Sequence, residues 1–193
     1  MNIYLIVIPV VILLVLMMWY VGAYNTYVRN KQKVEEAWSG IDVQLKRRLD
    51  LIPNLINTVK GYAQHEKDLI EKVTEQRVKA LQASSADGNI EQRMKAENML
   101  SQSLKSVFAV AENYPDLKAN TNFIELQKQL AETEDQISAA RRIYNGNVTE
   151  LNSTVSSFPT SIIAGIHGFH KAEFFQMNAE EAAQATKTPV VSF

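Results

Sequence analysis

Three places in the chain bring together residue types that could do chemistry. His65-Glu66 falls in a helical stretch, but a zinc-protease helix needs a second histidine four residues after the first, and position 69 is Leu69. Bundles that hold paired iron ions take Glu-x-x-His from two helices, and this chain contains no such motif. His167 and His170, in "GIHGFH", could both touch one ion, with Glu173 the only carboxylate close by. That donor set is thin, and a packed or solvated tail is the plainer expectation. Lys46-Arg47-Arg48 is a basic run suited to anionic lipid or an acidic partner, although such runs are more often a solvated helix face. "AGIHGF" lacks the Lys-Ser/Thr of a phosphate-cradling loop. No nucleophile with a base, no paired carboxylates in a recognisable motif and no cofactor fingerprint emerge. The expectation is a protein without cofactor or catalytic residues. The one enzymatic alternative is a metal-dependent activity through His167 and His170.

Composition narrows the classes further. The chain has 193 residues, no cysteine and a formal net charge of −1. Structural disulfides, Cys-ligated metals and a lipid-modified cysteine are excluded. The balanced charge gives no global basic field, so nucleic acid is not an expected partner.

Residues able to act must be positioned by something, and the first such element is apolar. "MNIYLIVIPVVILLVLMMWYVGAYNTYV" has no charged side chain before Arg29. About 20 apolar residues, rising 1.5 Å each, cross a hydrocarbon core of about 30 Å. Ile3 to about Tyr20 fill it, through Pro9 and Leu14, with Trp19, Tyr20 and Tyr24 as an aromatic belt. Membrane helices tolerate a proline such as Pro9 where neighbours satisfy the freed carbonyl. A cleaved signal peptide is the alternative, with "VGA" before Tyr24 as its site. The missing positive n-region and the length of the apolar stretch favour an uncleaved anchor. Arg29, Lys31 and Lys33 follow the span, so the positive-inside rule puts the N-terminus outside and the rest in the cytoplasm.

Beyond the anchor the apolar stripe runs Val34, Trp38, Ile41, Leu45, Leu49, Ile52, Ile56, Val59, Ala63, in steps of three and four. It resumes at Ile70 and Val73. Pro53 leaves two readings open. One is a continuous helix kinked at Pro53 and ending near Leu81 to Ala83. The other is a chain reversal at "DLIPN", with Asp50 capping a new helix. "SSADGN" reads as a loop, with Asn89 and Gln92 as a capping box. A second helix runs from Ile90 to the stop at "NYPD", and a third from Phe123 to Phe158-Pro159. The domain is therefore all-α: a single N-terminal transmembrane helix (1–24), an antiparallel bundle of three to four long helices (25–159), and an irregular tail with a possible short helix (160–193). Asn147-Val-Thr and Asn152-Ser-Thr match the glycosylation pattern but lie inside a predicted helix.

Two surface expectations follow. Aligned antiparallel, Arg77, Glu97, Glu134 and Arg141 fall at similar height and form a candidate charged layer inside the bundle; the alternative is that each points outward. In the continuous-helix reading, Trp38, Ile41 and Leu45, with Lys46, Arg47 and Arg48 beside them, form a bare candidate interaction surface that copies of the chain would cover. A reversal at Pro53 would remove that patch.

"YNTYVRNKQKVEEAWSGIDVQLKRRLDLIPNLINTVKGYAQHE" resembles the N-terminal block of the LemA family. "YPDLKANTNFIELQKQLAETEDQISAARRIYNGNVTELN" and "FPTSIIAG" are similar to its later blocks, so the resemblance covers nearly the whole chain. "GFHKAEFF" departs from a more basic family version. The resemblance implies a bacterial protein with one membrane span and a four-helix bundle, and it implies no catalytic residue. The expected role is a membrane-anchored scaffold that self-associates, in the bacterial inner membrane. The alternative is an adaptor presenting partners to a membrane protease or transporter. Expected partners are the lipid bilayer, further copies of the chain and other membrane proteins.

Overall fold

The apolar stripe runs as one helix straight through Pro53. A computed structural model describes residues 4–85 and 90–175. Ile3, the proposed cap Asn89, the suggested short helix in "NAEEAAQAT" and the end from Thr188 to Phe193 lie outside the described residues. Among the described residues the helices are, in order, α1 Tyr4–Tyr62, α2 Lys67–Ser85, α3 Ile90–Ala111, α4 Pro115–Lys118, α5 Thr121–Ser156 and α6 Thr160–His167. Among the described residues there is no strand.

Both readings of Pro53 need correction. The helix continues through it, so the chain does not reverse there, and it stops at Tyr62 rather than near Leu81. The reversal falls at residues 63–66, where the Glu66 N–H donates to the Ala63 carbonyl at 3.1 Å. Tyr114 clips the same turn from the α3–α4 connection, its hydroxyl donating to Glu66 at 2.8 Å. That bond to a carboxylate pushes the Tyr114 hydroxyl above its ordinary pKa. The turn was hidden because Val59, Ala63 and Val73, on either side of it, enter the same core. The apolar period therefore carries across a break in the helix, and the turn contains no Gly, Pro or Asn.

Proline in a helix interior lacks the N–H that would bond the carbonyl four residues earlier. Here that carbonyl belongs to Leu49, and the Nε of Arg77 on α2 donates to it at 3.0 Å. A side chain from the neighbouring helix replaces the missing backbone donor.

Local signals set the other ends. Pro115 opens α4 at its first turn, where no donor is needed. The Asn120 side-chain oxygen accepts the Phe123 N–H at 3.0 Å and caps α5. Gly168, at φ 66°, ends α6 in the left-handed conformation, and the Phe169 N–H donates to the Ala164 carbonyl at 3.0 Å. Thr160 to His167, read as irregular from sequence, are thus helical.

The chain forms two compact units, and α1 and α5 contribute residues to both. In residues 42–139, the C-terminal part of α1, α2, α3 and the N-terminal part of α5 make an up-and-down bundle. Its core includes Ile52, Leu55, Val73, Leu100, Leu117 and Phe123. Between Tyr27 and Trp38, α1 runs antiparallel to α5: Tyr27 meets Thr154, Lys33 meets Glu150 and Trp38 meets Tyr144. In residues 4–41 and 140–174, Ala23 and Tyr27 of α1 form a small core with Ile163 and Ala164 of α6.

Arg77→Met leaves the Leu49 carbonyl without its donor, at an expected cost of about 1–3 kcal/mol. In a Pro53→Ala background the backbone N–H of residue 53 can take that carbonyl, so the same substitution should cost clearly less. Equal costs in both backgrounds, measured by chemical denaturation, would contradict this account of Pro53.

Candidate functional site

Within the unit of residues 42–139, three helices meet at one buried cation. Ile41, Leu45, Arg48, Ile52 and Leu55 follow steps of four and three along α1, and all five are buried. Spacing thus places Arg48 in the seam of the bundle, 1% exposed. Its Nη2 pairs with Glu97 of α3, which is 0% exposed. Its Nη1 donates to the Ser101 hydroxyl and to Glu134 of α5, both at 2.7 Å. Glu97 and Ser101 stand one helical turn apart on α3, so a single guanidinium fork reaches both. Glu134 remains 41% exposed beside a cleft of about 220 Å³ that Leu104, Phe108 and Leu130 also line.

A second pair links α1 to α3: Arg93 bonds Asp42 at 2.5 Å. Burial pushes the Asp42 carboxyl up from its ordinary range, against the pull of the Arg93 charge and hydrogen bond. A raised carboxyl pKa means Asp42 contributes stability in acid that fades as pH rises through its titration.

In the unit of residues 4–41 and 140–174, the buried Tyr27 hydroxyl lies 2.7 Å from the carbonyl oxygens of both Thr154 and Thr160. Asn30 donates to the Thr154 hydroxyl at 3.1 Å, and Lys33 pairs with Glu150 at 3.0 Å. Asn147 donates to the Lys33 carbonyl, and Asn152 exchanges two hydrogen bonds with the Ala172 backbone. Both asparagines of the glycosylation pattern are therefore spent on tertiary hydrogen bonds. The Tyr144 hydroxyl donates to the Glu173 carbonyl at 2.9 Å, and burial, then the Glu173 charge, holds it above its ordinary pKa.

The residues singled out from sequence are placed as follows. Pro9, Leu14, Trp19 and Tyr20 are exposed on α1. Of the candidate interaction surface, Ile41, Leu45 and Arg48 are interior, and Trp38 is half-buried with its ring 5.4 Å from that of Tyr144. Only Lys46 and Arg47 are exposed, so neither the bare apolar patch nor the three-residue basic run exists as a surface. The reason is the reversal at residues 63–66, which supplies that part of α1 with partners. Of the candidate charged layer, Glu97 and Glu134 meet at Arg48, whereas Arg77 serves the Leu49 carbonyl. Arg141 is half-buried in the other unit. Sequence reasoning missed Arg48 as the cation of this cluster by grouping it with Lys46 and Arg47. The step of three from Leu45 and of four to Ile52 was the signal that could have separated it.

Among the described residues, no group of three or more His, Asp or Glu is placed to hold a metal ion. His167 Nε2 lies 2.5 Å from the Tyr20 hydroxyl. The arrangement at Arg48 ties α1, α3 and α5 together, and Arg48, Ser101 and Glu134 also line the cleft.

Fold and site together define a class: an all-α protein whose bundle closes on a buried arginine and whose first helix is long and apolar enough to cross a membrane. The chain belongs to the LemA family, whose family model matches residues 37–193. It is 26% identical over 162 residues to Protein LemA of Metamycoplasma hominis, covering 84% of this chain and 73% of that one. It is 25% identical over 191 residues to Magnetosome protein MamQ 2 of Paramagnetospirillum magneticum, covering 88% and 68%. To Magnetosome protein MamQ of Magnetospirillum gryphiswaldense it is 22% identical over the same shares of each chain.

Arg48→Met strands Glu97 in the core and should destabilise the bundle by about 3–5 kcal/mol. Adding Glu97→Leu should recover much of that loss, whereas Glu134→Gln alone, at a half-exposed carboxylate, should cost under about 1 kcal/mol. Denaturation of the three variants checks the ordering. A double variant no better than Arg48→Met would show that the loss is one of packing rather than of an unpaired charge.

Proposed function

We propose that this protein is a non-enzymatic scaffold anchored by α1 in the bacterial inner membrane. The observation that carries the reading is the apolar surface of α1. Large apolar side chains from Val7 to Val21 are exposed, and only 6% of the most apolar window is buried. Water does not tolerate such a surface, and a bilayer of matching thickness does. Arg29, Lys31 and Lys33 at the end of the span favour a cytoplasmic bundle. The polar groups of the bundle support a structural role, since Arg48 binds Glu97, Ser101 and Glu134 and so joins three helices. Membership of the LemA family and similarity to magnetosome proteins accord with a part in membrane organisation.

Self-association belongs to this proposal on altered grounds. Ile41 and Leu45 are buried within the chain, and the longest run of exposed apolar side chains that copies could share is the span itself. Light scattering of the full-length protein in detergent, with the detergent contribution subtracted, tests this beside a version starting at Asn25. The expected result is a defined assembly from the full-length chain and a smaller species from the shortened one. A monomer in both forms would remove self-association from the proposal.

A further inference from the structure

α6 and the glycine after it form a short hairpin alongside α1. No Asp, Glu, Lys or Arg occurs between Glu150 and Lys171, just as none precedes Arg29. The contacts give the direction of this segment. At its start, the Thr160 carbonyl lies 2.7 Å from the Tyr27 hydroxyl. In its middle, Ile163 and Ala164 pack with Ala23 and Tyr27. At its end, His167 meets the Tyr20 hydroxyl at 2.5 Å, and its ring centre lies 4.9 Å from that of Tyr24 in an edge-on arrangement. As α6 advances, its partners on α1 step back from Tyr27 to Tyr20, seven residues, or about 10 Å of helix. α6 therefore runs antiparallel to α1, towards the apolar span. Gly168 then reverses the chain, and Phe169 returns to stack on Tyr27 at 4.8 Å.

One face of α6, with Ile163 and Ala164, is taken up by α1. The other is bare: Ile162 is 55% and Ile166 67% exposed, one turn apart, and Phe158, four residues earlier, is 83% exposed. A helix apolar on all sides is at home in a protein core or in a membrane. This one has core on one side only. Ile166 precedes His167, which meets Tyr20 and Tyr24, so the tip of the bare face lies near the level where the exposed apolar residues of α1 end and an aromatic belt would meet the headgroups.

We propose that α6 is a membrane-inserting element, its tip from Ile162 to Gly168 entering the interfacial layer of the leaflet from which α1 emerges. The occupant of the bare face is lipid. The proposal rests on the reading of α1 as a membrane span. Contact with the bilayer would then be made at two places far apart in sequence, and the Tyr27 and Tyr20 hydrogen bonds would hold the two at one depth. At the hairpin the Phe169 N–H donates to the Ala164 carbonyl, the Thr160 carbonyl accepts from Tyr27, and the His167 ring pairs with the Tyr20 hydroxyl, so its polar groups find partners within the hairpin and on α1.

The native chain has no cysteine, so single cysteines can carry an environment-sensitive fluorophore in the full-length protein. Ile166→Cys is the test position, Leu14→Cys the reference for lipid and Val43→Cys, 64% exposed, the reference for water. The protein is reconstituted in nanodiscs of phosphatidylcholine and phosphatidylglycerol, with or without nitroxide lipid, a mixture labelled at the headgroup and deep along the acyl chain so that both the interface and the bilayer centre are sampled. The expected result at position 166 is blue-shifted emission, loss of intensity with the nitroxide lipid and protection from aqueous iodide. Quenching by iodide but not by the nitroxide lipid would overturn the proposal in favour of water. Protection from both quenchers would overturn it in favour of a second protein surface. If position 14 also escapes the nitroxide lipid, the reading of α1 as a span fails, and this inference falls with it.

Discussion

A proline inside a helix removes one donor and crowds the preceding turn, at a cost of about 3 kcal/mol in an isolated helix. α1 nevertheless stays a single helix through Pro53, and much of the structure depends on that. Arg77 supplies the Leu49 carbonyl with the hydrogen bond that proline cannot give. Because α1 continues, the reversal comes at residues 63–66, and the residues between Asp42 and Tyr62 become a helix of the bundle. Ile41 and Leu45 are then buried, Arg48 enters the seam, and the surface expected from sequence to join copies together is consumed inside the molecule.

The buried arginine follows from the same constraint. Steps of three and four along α1 leave Arg48 no route to solvent, and Glu97 and Ser101 stand where its fork can reach them. Desolvating two charges offsets most of what their attraction gains. The pair therefore contributes less to net stability than to register, since sliding either helix by a turn would bury each charge alone. Three further polar side chains, Tyr27, Asn147 and Asn152, do comparable work in the other unit, tying α1 to α5 and the tail to α5 by bonds to backbone carbonyls.

The helical class, the apolar first segment and the approximate spans of α3 and α5 were legible because each rests on local signals: a sustained period, a charge-free run, and the stops at "NYPD" and Phe158-Pro159. The turn after Tyr62 was not, because it has no breaker residue and both sides of it feed one core. Arg48 was misread because adjacency in sequence outweighed position in the seam. Glu97 and Glu134 could be placed at one height from the antiparallel alignment, but the identity of their cation required the true location of the reversal. α6 escaped notice because eight residues between a proline and a glycine carry too little periodicity to stand out from a tail.

The most direct measurement is a distance along α1 across Pro53. Spin labels at Val43→Cys and Lys60→Cys, both exposed positions, would be read by pulsed electron double resonance in the full-length protein. Seventeen residues of uninterrupted helix separate these backbones by about 25 Å. A single distribution near that value is the result this account predicts. A distance of roughly 10–12 Å, the spacing of helices packed side by side, would mean that the chain reverses at Pro53, and would contradict it.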